Sequence, residues 1–200
     1  DQPARFDWGV ASGDPKADAI VLWTRAVPTD GASSLRVRFD LARDDAFSDV
    51  IRSGVVETHA GRDFTVKVDV RGLEPGARYV YRFVAGDQHS PVGRTRTLPA
   101  GDAPVRLALA SCANFPSGFY NAYRAIANTP DLDAVIHVGD YIYEYGQDEY
   151  DGATGRRLGR LLAPPHEILT LADYRDRFAC YRADEDLQAV HAAAAFITIW

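Results

Sequence analysis

Three residues combine the type and spacing that cation chemistry needs: Cys112, Asp140 and Tyr143. Asp140 stands in Ala134-Val-Ile-His-Val-Gly-Asp-Tyr-Ile-Tyr-Glu-Tyr145, an apolar run that reads as a buried β-strand ending in Gly139-Asp140. Val135, Ile136 and Val138 are β-branched, as a strand of a packed sheet requires. Gly139 allows a sharp turn past the strand end. Asp140 then projects where open α/β sheets bind ligands, at the carboxyl ends of strands, and a carboxylate there bridges hard cations. Tyr143, three positions on, supplies a phenolate suited to a trivalent iron. Taken alone, the same Gly-Asp fits an Asp capping the next turn among core tyrosines. Cys112 closes a second apolar run, Val105-Arg-Leu-Ala-Leu-Ala-Ser-Cys-Ala-Asn114. It reads either as a thiolate ligand or as a nucleophile. A nucleophile needs a nearby base, and no histidine stands in a motif that marks one. His137 reads as a core histidine by strand alternation. Asn114 is a partner for phosphate or Cys112, or a turn residue. Tyr141 and Tyr145 read as packing residues, and Glu144 as a support for the ligands. Trp8, Trp23 and Trp200 read as core or interdomain contacts rather than substrate stackers.

The elements that must position these groups follow from periodicity. Strands are predicted near 105–111, 133–138 and 195–200. Between the first two, Pro116 to Thr129 carries Phe119, Ala122, Tyr123, Ile126 and Ala127 at helical spacing. Strand, helix, strand makes a right-handed crossover with a parallel pair, which opens Cys112 and Asp140 on one sheet edge. Tyr145 to Pro165 is polar, aperiodic and rich in Gly, Asp and Arg, and reads as a long loop, functional or a surface excursion. A helix follows from Leu169, with Thr170 as N-cap and Asp173 completing a capping box. Asp184 and Asp186 open another, Leu187 to Ala195.

Residues 1 to about 100 read as all-β, with strands over Ala19–Val27, Leu35–Ala42, Gly54–Thr58, Phe64–Val70, Tyr79–Ala85 and Gly93–Leu98. Turn residues separate them at Pro28–Gly31, Ala60-Gly61, Glu74–Gly76 and Ala85–Asp87. Many short strands at this spacing indicate a β-sandwich, and Leu73–Tyr81 looks like the tyrosine-corner region of fibronectin type III domains. Pro99–Pro104 reads as a linker.

The 200 residues are 46% hydrophobic and 25% charged, ordinary for a globular protein. The net charge of −6 argues against broad nucleic-acid binding, which needs a basic footprint. No apolar run approaches the ~20 residues of a membrane span, and no signal peptide is visible at Asp1-Gln-Pro3. The two cysteines, Cys112 and Cys180, are expected to stay unbonded, with Cys180 a small buried hydrophobe in a helix.

Several segments in combination resemble the alkaline phosphatase D (PhoD-like) family of phosphomonoesterases and phosphodiesterases. They are Phe6–Pro15, Ile20–Arg25, Ala110–Asn114, Gly118–Ile126, His137–Tyr145 and Leu171–Tyr181. The resemblance implies a mixed fold: a fibronectin III or Ig-like β-sandwich over 1–99, then over 105–200 the first half of an α/β metallophosphatase-like domain. It implies hydrolysis of phosphate mono- or diesters at alkaline pH by an iron and calcium cluster. Cys112 and Tyr143 then bind Fe(3+), and Asp140, the catalytic centre, is shared with Ca(2+). It also implies export, to a secreted or periplasmic location. Calcineurin-type phosphatases carry Asp-x-His at the first strand end; Ser111-Cys112 departs from that pattern. In the family an acidic Asp-Asp-His-Glu segment follows a strand like Phe196–Trp200. The chain is therefore expected to be the amino-terminal part of a longer enzyme, inactive by itself. Two other functions remain open: a zinc or manganese dinuclear metallophosphoesterase without thiolate, and a non-enzymatic binding module built on the β-sandwich.

Overall fold

The structure, a computed structural model, describes residues 2–200. The first half is built from strands, with one 3-10 turn at Ala60–Arg62: β1 (Ala4–Arg5), β2 (Val10–Gly13), β3 (Ala19–Arg25), β4 (Val27–Pro28), β5 (Ser34–Ala42), β6 (Val50–His59), β7 (Thr65–Arg71), β8 (Arg78–Ala85), β9 (Gln88–His89) and β10 (Gly93–Arg96). One sheet runs β10-β8-β5-β6, with β9 added to β8. The antiparallel trio β2-β3-β7 faces it. Ile20 and Leu22 of β3, Val66 and Val70 of β7, Leu35 and Leu41 of β5, and Tyr81 and Phe83 of β8 meet in one core. The period-2 pattern of β7 dictates this: Val66 and Val70 are buried while Lys67 and Asp69 face water. The Tyr79 hydroxyl accepts the Glu74 N–H at 3.0 Å, which fixes the corner before β8. β6 begins at Val50, four residues before the predicted start, because it is an edge strand with mostly exposed side chains and a weak apolar pattern.

The second half adds β11 (Leu107–Ala110), α1 (Asn121–Ala127), β12 (Ala134–Val138), α2 (Gly152–Leu158), α3 (Leu171–Arg182), α4 (Glu185–Ala193) and β13 (Ala195–Ile199). β11, β12 and β13 pair in parallel. They do not form a sheet of their own. β13 pairs with β2 at Phe196 and Gly13, so one mixed sheet of six strands runs β11-β12-β13-β2-β3-β7. The structure is thus rich in mixed sheet, with hydrogen bonding continuous across the predicted linker. Clasps reinforce the join. Trp8 Nε1 donates to the Ala179 carbonyl at 3.1 Å, and Arg182 donates to the Trp8 carbonyl at 2.9 Å.

Four expectations need correction. The strand before Asp140 is buried at Ala134, Val135 and His137 and half-buried at Ile136, but not to its end. Val135 and His137 lie under the helices, but Val138 is 46% exposed, as are Leu107 and Leu109 of β11 at 44% and 70%. On the helix side, α1, α3 and α4 share one core with Val135 and Phe196. The helix predicted from Pro116 to Thr129 is a single 3-10 turn, Phe115–Ser117, followed by α1. The segment predicted as a long loop contains α2, and its Gln147, Arg160 and Leu162 are buried. Ala195 belongs to β13, because the extended Ala194 ends α4. The capping box holds: Asp173 N–H donates to Thr170 Oγ1, and Asp173 Oδ2 accepts the Thr170 N–H. Trp8 and Trp23 are half-buried, whereas Trp200 is 77% exposed and leans on Tyr174.

Candidate metal centre

Parallel pairing puts the ends of β11 and β12 side by side, and the loops beyond them lock together. Cys112 N–H donates to the Gly139 carbonyl at 3.2 Å, and Ala113 N–H to the Asp140 carbonyl at 2.9 Å. Gly139 has φ 110°, and a Cβ there would press on the Trp200 carbonyl, so only glycine fits. Cys112 and Asp140 are themselves left-handed, with φ 57° and 55°. Each such non-glycine conformation costs about 1–2 kcal/mol, and strain of this kind gathers at functional sites.

The side chains converge on one atom. Tyr143 Oη donates to Asp140 Oδ2 at 3.0 Å, and Cys112 Sγ donates to the same oxygen at 3.5 Å. All three sequence candidates are therefore together. Burial, and then the hydrogen bonds to Asp140 and Cys112, push the Tyr143 phenol well above its usual pKa. A phenolate beside a carboxylate and a thiol is unfavourable until a positive charge arrives, which is the electrostatics of a site suited to a cation. The donor set of carboxylate, phenol and thiol fits a hard, highly charged ion with one softer ligand. Among the described residues, no three His, Cys, Asp or Glu side chains converge as a metal site. The cluster supplies two of those types and a phenol.

The neighbours sort themselves. His137 is a core histidine, with Nε2 2.9 Å from the Tyr123 hydroxyl. Among the described side chains Cys112 Sγ donates to Asp140 and bonds no histidine. Asn114 donates to Ser117 Oγ at 2.7 Å and structures its own turn. Glu144 accepts from the Tyr174 hydroxyl at 3.2 Å, behind the cluster. Tyr141 is a packing residue, bonded to His191 Nε2 at 2.7 Å. Tyr145, expected to pack, is 49% exposed. Cys112 and Cys180 are free thiols; Cys180 is half-buried, and burial raises its pKa. Asp140 and Tyr143 open into a cavity of about 1130 Å³ walled by Glu144, Trp8, Trp23 and Arg62.

Arg177 was not singled out from sequence. It is fully buried and donates to the carbonyls of Tyr143, Tyr145, Ala163, Pro164 and His166. It thereby clamps the segment that carries Tyr143. The available signal was its helical register with Tyr174, Phe178 and Tyr181, which places it on the inward face.

The chain belongs to the PhoD-like phosphatases: residues 1–99 match the family's N-terminal domain and residues 107–200 match the PhoD-like phosphatase domain. It is 43% identical over 204 aligned residues to alkaline phosphatase D of Bacillus subtilis (strain 168), which covers 98% of this chain. A solved structure of PhoD superposes with a TM-score of 0.85 at 39% identity, over 99% of this chain. The chain spans 34% of the first relative and 39% of the second, about a third of their length.

Proposed function

We propose that this chain forms the amino-terminal part of an exported, metal-dependent phosphoesterase that hydrolyses phosphate mono- or diesters at alkaline pH. In this reading residues 1–99 are an accessory β-sandwich of fibronectin III or Ig-like type. Residues 105–200 begin an α/β metallophosphatase-like catalytic domain. Cys112 and Tyr143 hold Fe(3+), and Asp140 is shared between it and Ca(2+). Further ligands come from the part of the family's length that this chain does not span. The observation that carries the reading is the meeting of Tyr143 Oη and Cys112 Sγ on one oxygen of Asp140.

Bound cations would stabilise the charge that grows on a phosphoryl group's oxygens and activate water near neutral pH. The chain's own residues do the rest. Asp140 presents a carboxylate with two oxygens, one of which now accepts both neighbouring protons. Tyr143 Oη and Cys112 Sγ give up those protons when positive charge binds, as ligands must be deprotonated. The strained loops fix the three groups before any ion arrives, and Arg177 holds the backbone of Tyr143.

Metal analysis and visible spectroscopy of the intact enzyme test this. The expected result is iron with calcium and a ligand-to-metal absorption band. Asp140→Asn should lose metal and activity together, since an amide cannot bridge two cations. Tyr143→Phe should shift or bleach the band with little effect on folding. Zinc or manganese without a band would favour a dinuclear centre lacking thiolate, and full activity in Asp140→Asn would remove Asp140 from the centre. A protein with no metal and no hydrolysis would favour the binding-module reading.

A further inference from the structure

Tyr145 and Tyr150, which the proposed chemistry does not use, extend the ring of Tyr143 into an aromatic surface. Their ring centroids lie 5.8 Å (Tyr143–Tyr150), 6.3 Å (Tyr143–Tyr145) and 5.6 Å (Tyr145–Tyr150) apart, with interplanar angles of 28°, 24° and 43°. Tyr145 and Tyr150 are 49% and 54% exposed, an unusual state for paired large aromatics. The arrangement is built. Glu149 accepts the Gly146 N–H at 3.1 Å and donates its own N–H to the Gly146 carbonyl, a closed turn that presents Tyr150. Asp151 accepts from the Ser117 hydroxyl, tying that turn to the loop after Cys112. Arg177 fixes the Tyr145 carbonyl at 3.0 Å.

The platform is contiguous with the candidate centre. Tyr143 belongs to both: its hydroxyl bonds Asp140 and its ring neighbours Tyr145 and Tyr150. Tyr145 also lines the cavity that contains Asp140. A phosphate group seated at Asp140 would extend its ester substituent onto these rings. The charge nearby selects the substituent. Asp148, Glu149 and Asp151 flank Tyr150 in sequence, and among the described residues only Asp148 of the three pairs with an arginine, Arg156. The carboxylates beside Tyr150 disfavour an anionic group at that ring, whereas a flat neutral group gains ring-on-ring contact.

We propose that Tyr145 and Tyr150, beside Tyr143, are the subsite for an uncharged planar ester substituent, an aryl ring or a nucleobase. The proposal rests on the phosphoesterase reading and adds a preference within it. The test uses the intact protein at its natural length. Saturation-transfer NMR with adenosine, which carries no phosphate, should show contact that is lost in Tyr145→Ala/Tyr150→Ala and kept in the matching Phe variant. In kinetics, KM for 4-nitrophenyl phosphate should rise roughly tenfold in either alanine variant, the loss typical of one stacked ring. KM for glycerol phosphate should stay the same, and Tyr150→Phe should restore the aryl value. Equal effects on both esters, no effect on either, or no adenosine contact would overturn the subsite. Adenosine contact at these tyrosines without hydrolysis of any ester would uphold the subsite and overturn the phosphoesterase reading, so the two failures are distinguishable.

Discussion

At the residue scale, the candidate centre is built on left-handed backbone. Cys112, Gly139 and Asp140 all have positive φ, and the two loops they begin are hydrogen-bonded to each other. Such geometry needs support, and Arg177 supplies much of it by satisfying five carbonyls at once. Burial lowers the pKa of its guanidinium, yet five well-placed acceptors keep the planar fork occupied. Replacing it with methionine, which matches its length and fills the space, should leave those carbonyls unpaired in the interior. At about 1 kcal/mol per lost hydrogen bond, the variant should lose roughly 3 kcal/mol or more. Urea denaturation would measure this, and a loss below ~1 kcal/mol would show that the segment does not depend on the clamp. Arg177→Lys should fare little better, because a lysine's three donors on one atom cannot span the fork. Cys112, Asp140 and Tyr143 were legible in the sequence because each sits at or just past a recognisable strand end. Arg177 was not, because an arginine is ordinarily solvated and its acceptors are scattered over a segment without periodicity.

Elements were legible in proportion to how far their own residues decide them. The capping box of α3 is local, and the sequence pattern Thr170 to Asp173 translates directly into two reciprocal hydrogen bonds. Backbone N–H groups of Thr170 and Leu169 hold the Asp173 carboxyl far below the ordinary carboxylate range. A depressed folded-state pKa contributes stability that is complete above the unfolded value, about 4. That stability is lost as pH falls from there through the folded value. Acid titration of the native state, followed by circular dichroism, should therefore show a stability decline below about pH 4. The decline should be shallower in Asp173→Ala, which has already lost the carboxylate; an unchanged slope would count against the linkage. The helix α2 escaped detection for the opposite reason. It packs through Gly152 and Gly155 rather than through an apolar stripe, and a methyl group at Gly152 would collide with the Gln147 carbonyl. β12 was correctly placed and is buried at Ala134, Val135 and His137, but the exposure of its last residue, Val138, was not legible in an apolar run.

For the whole molecule, the periodicity change near residue 100 was visible, but the sheet that crosses it was not. A single register position, Phe196 opposite Gly13, joins strands that local patterns assign to separate units. Trp8, Arg182 and Gln188 add side-chain hydrogen bonds to backbone across the same join. Heating this chain should accordingly give one transition, with calorimetric and van't Hoff enthalpies equal and with tryptophan fluorescence and circular dichroism coincident. Two resolved transitions would mean that the halves melt independently. The junction also bears on the order of events at the ribosome. β2 is synthesised well before its parallel partner β13, with every strand from β3 to β12 between them. Until then β2 has β3 on one side and an open edge on the other, and contacts between such distant segments form slowly. An unpaired edge during synthesis invites pairing with another nascent chain. Such a protein gains from staying in contact with a chaperone until β13 has been made.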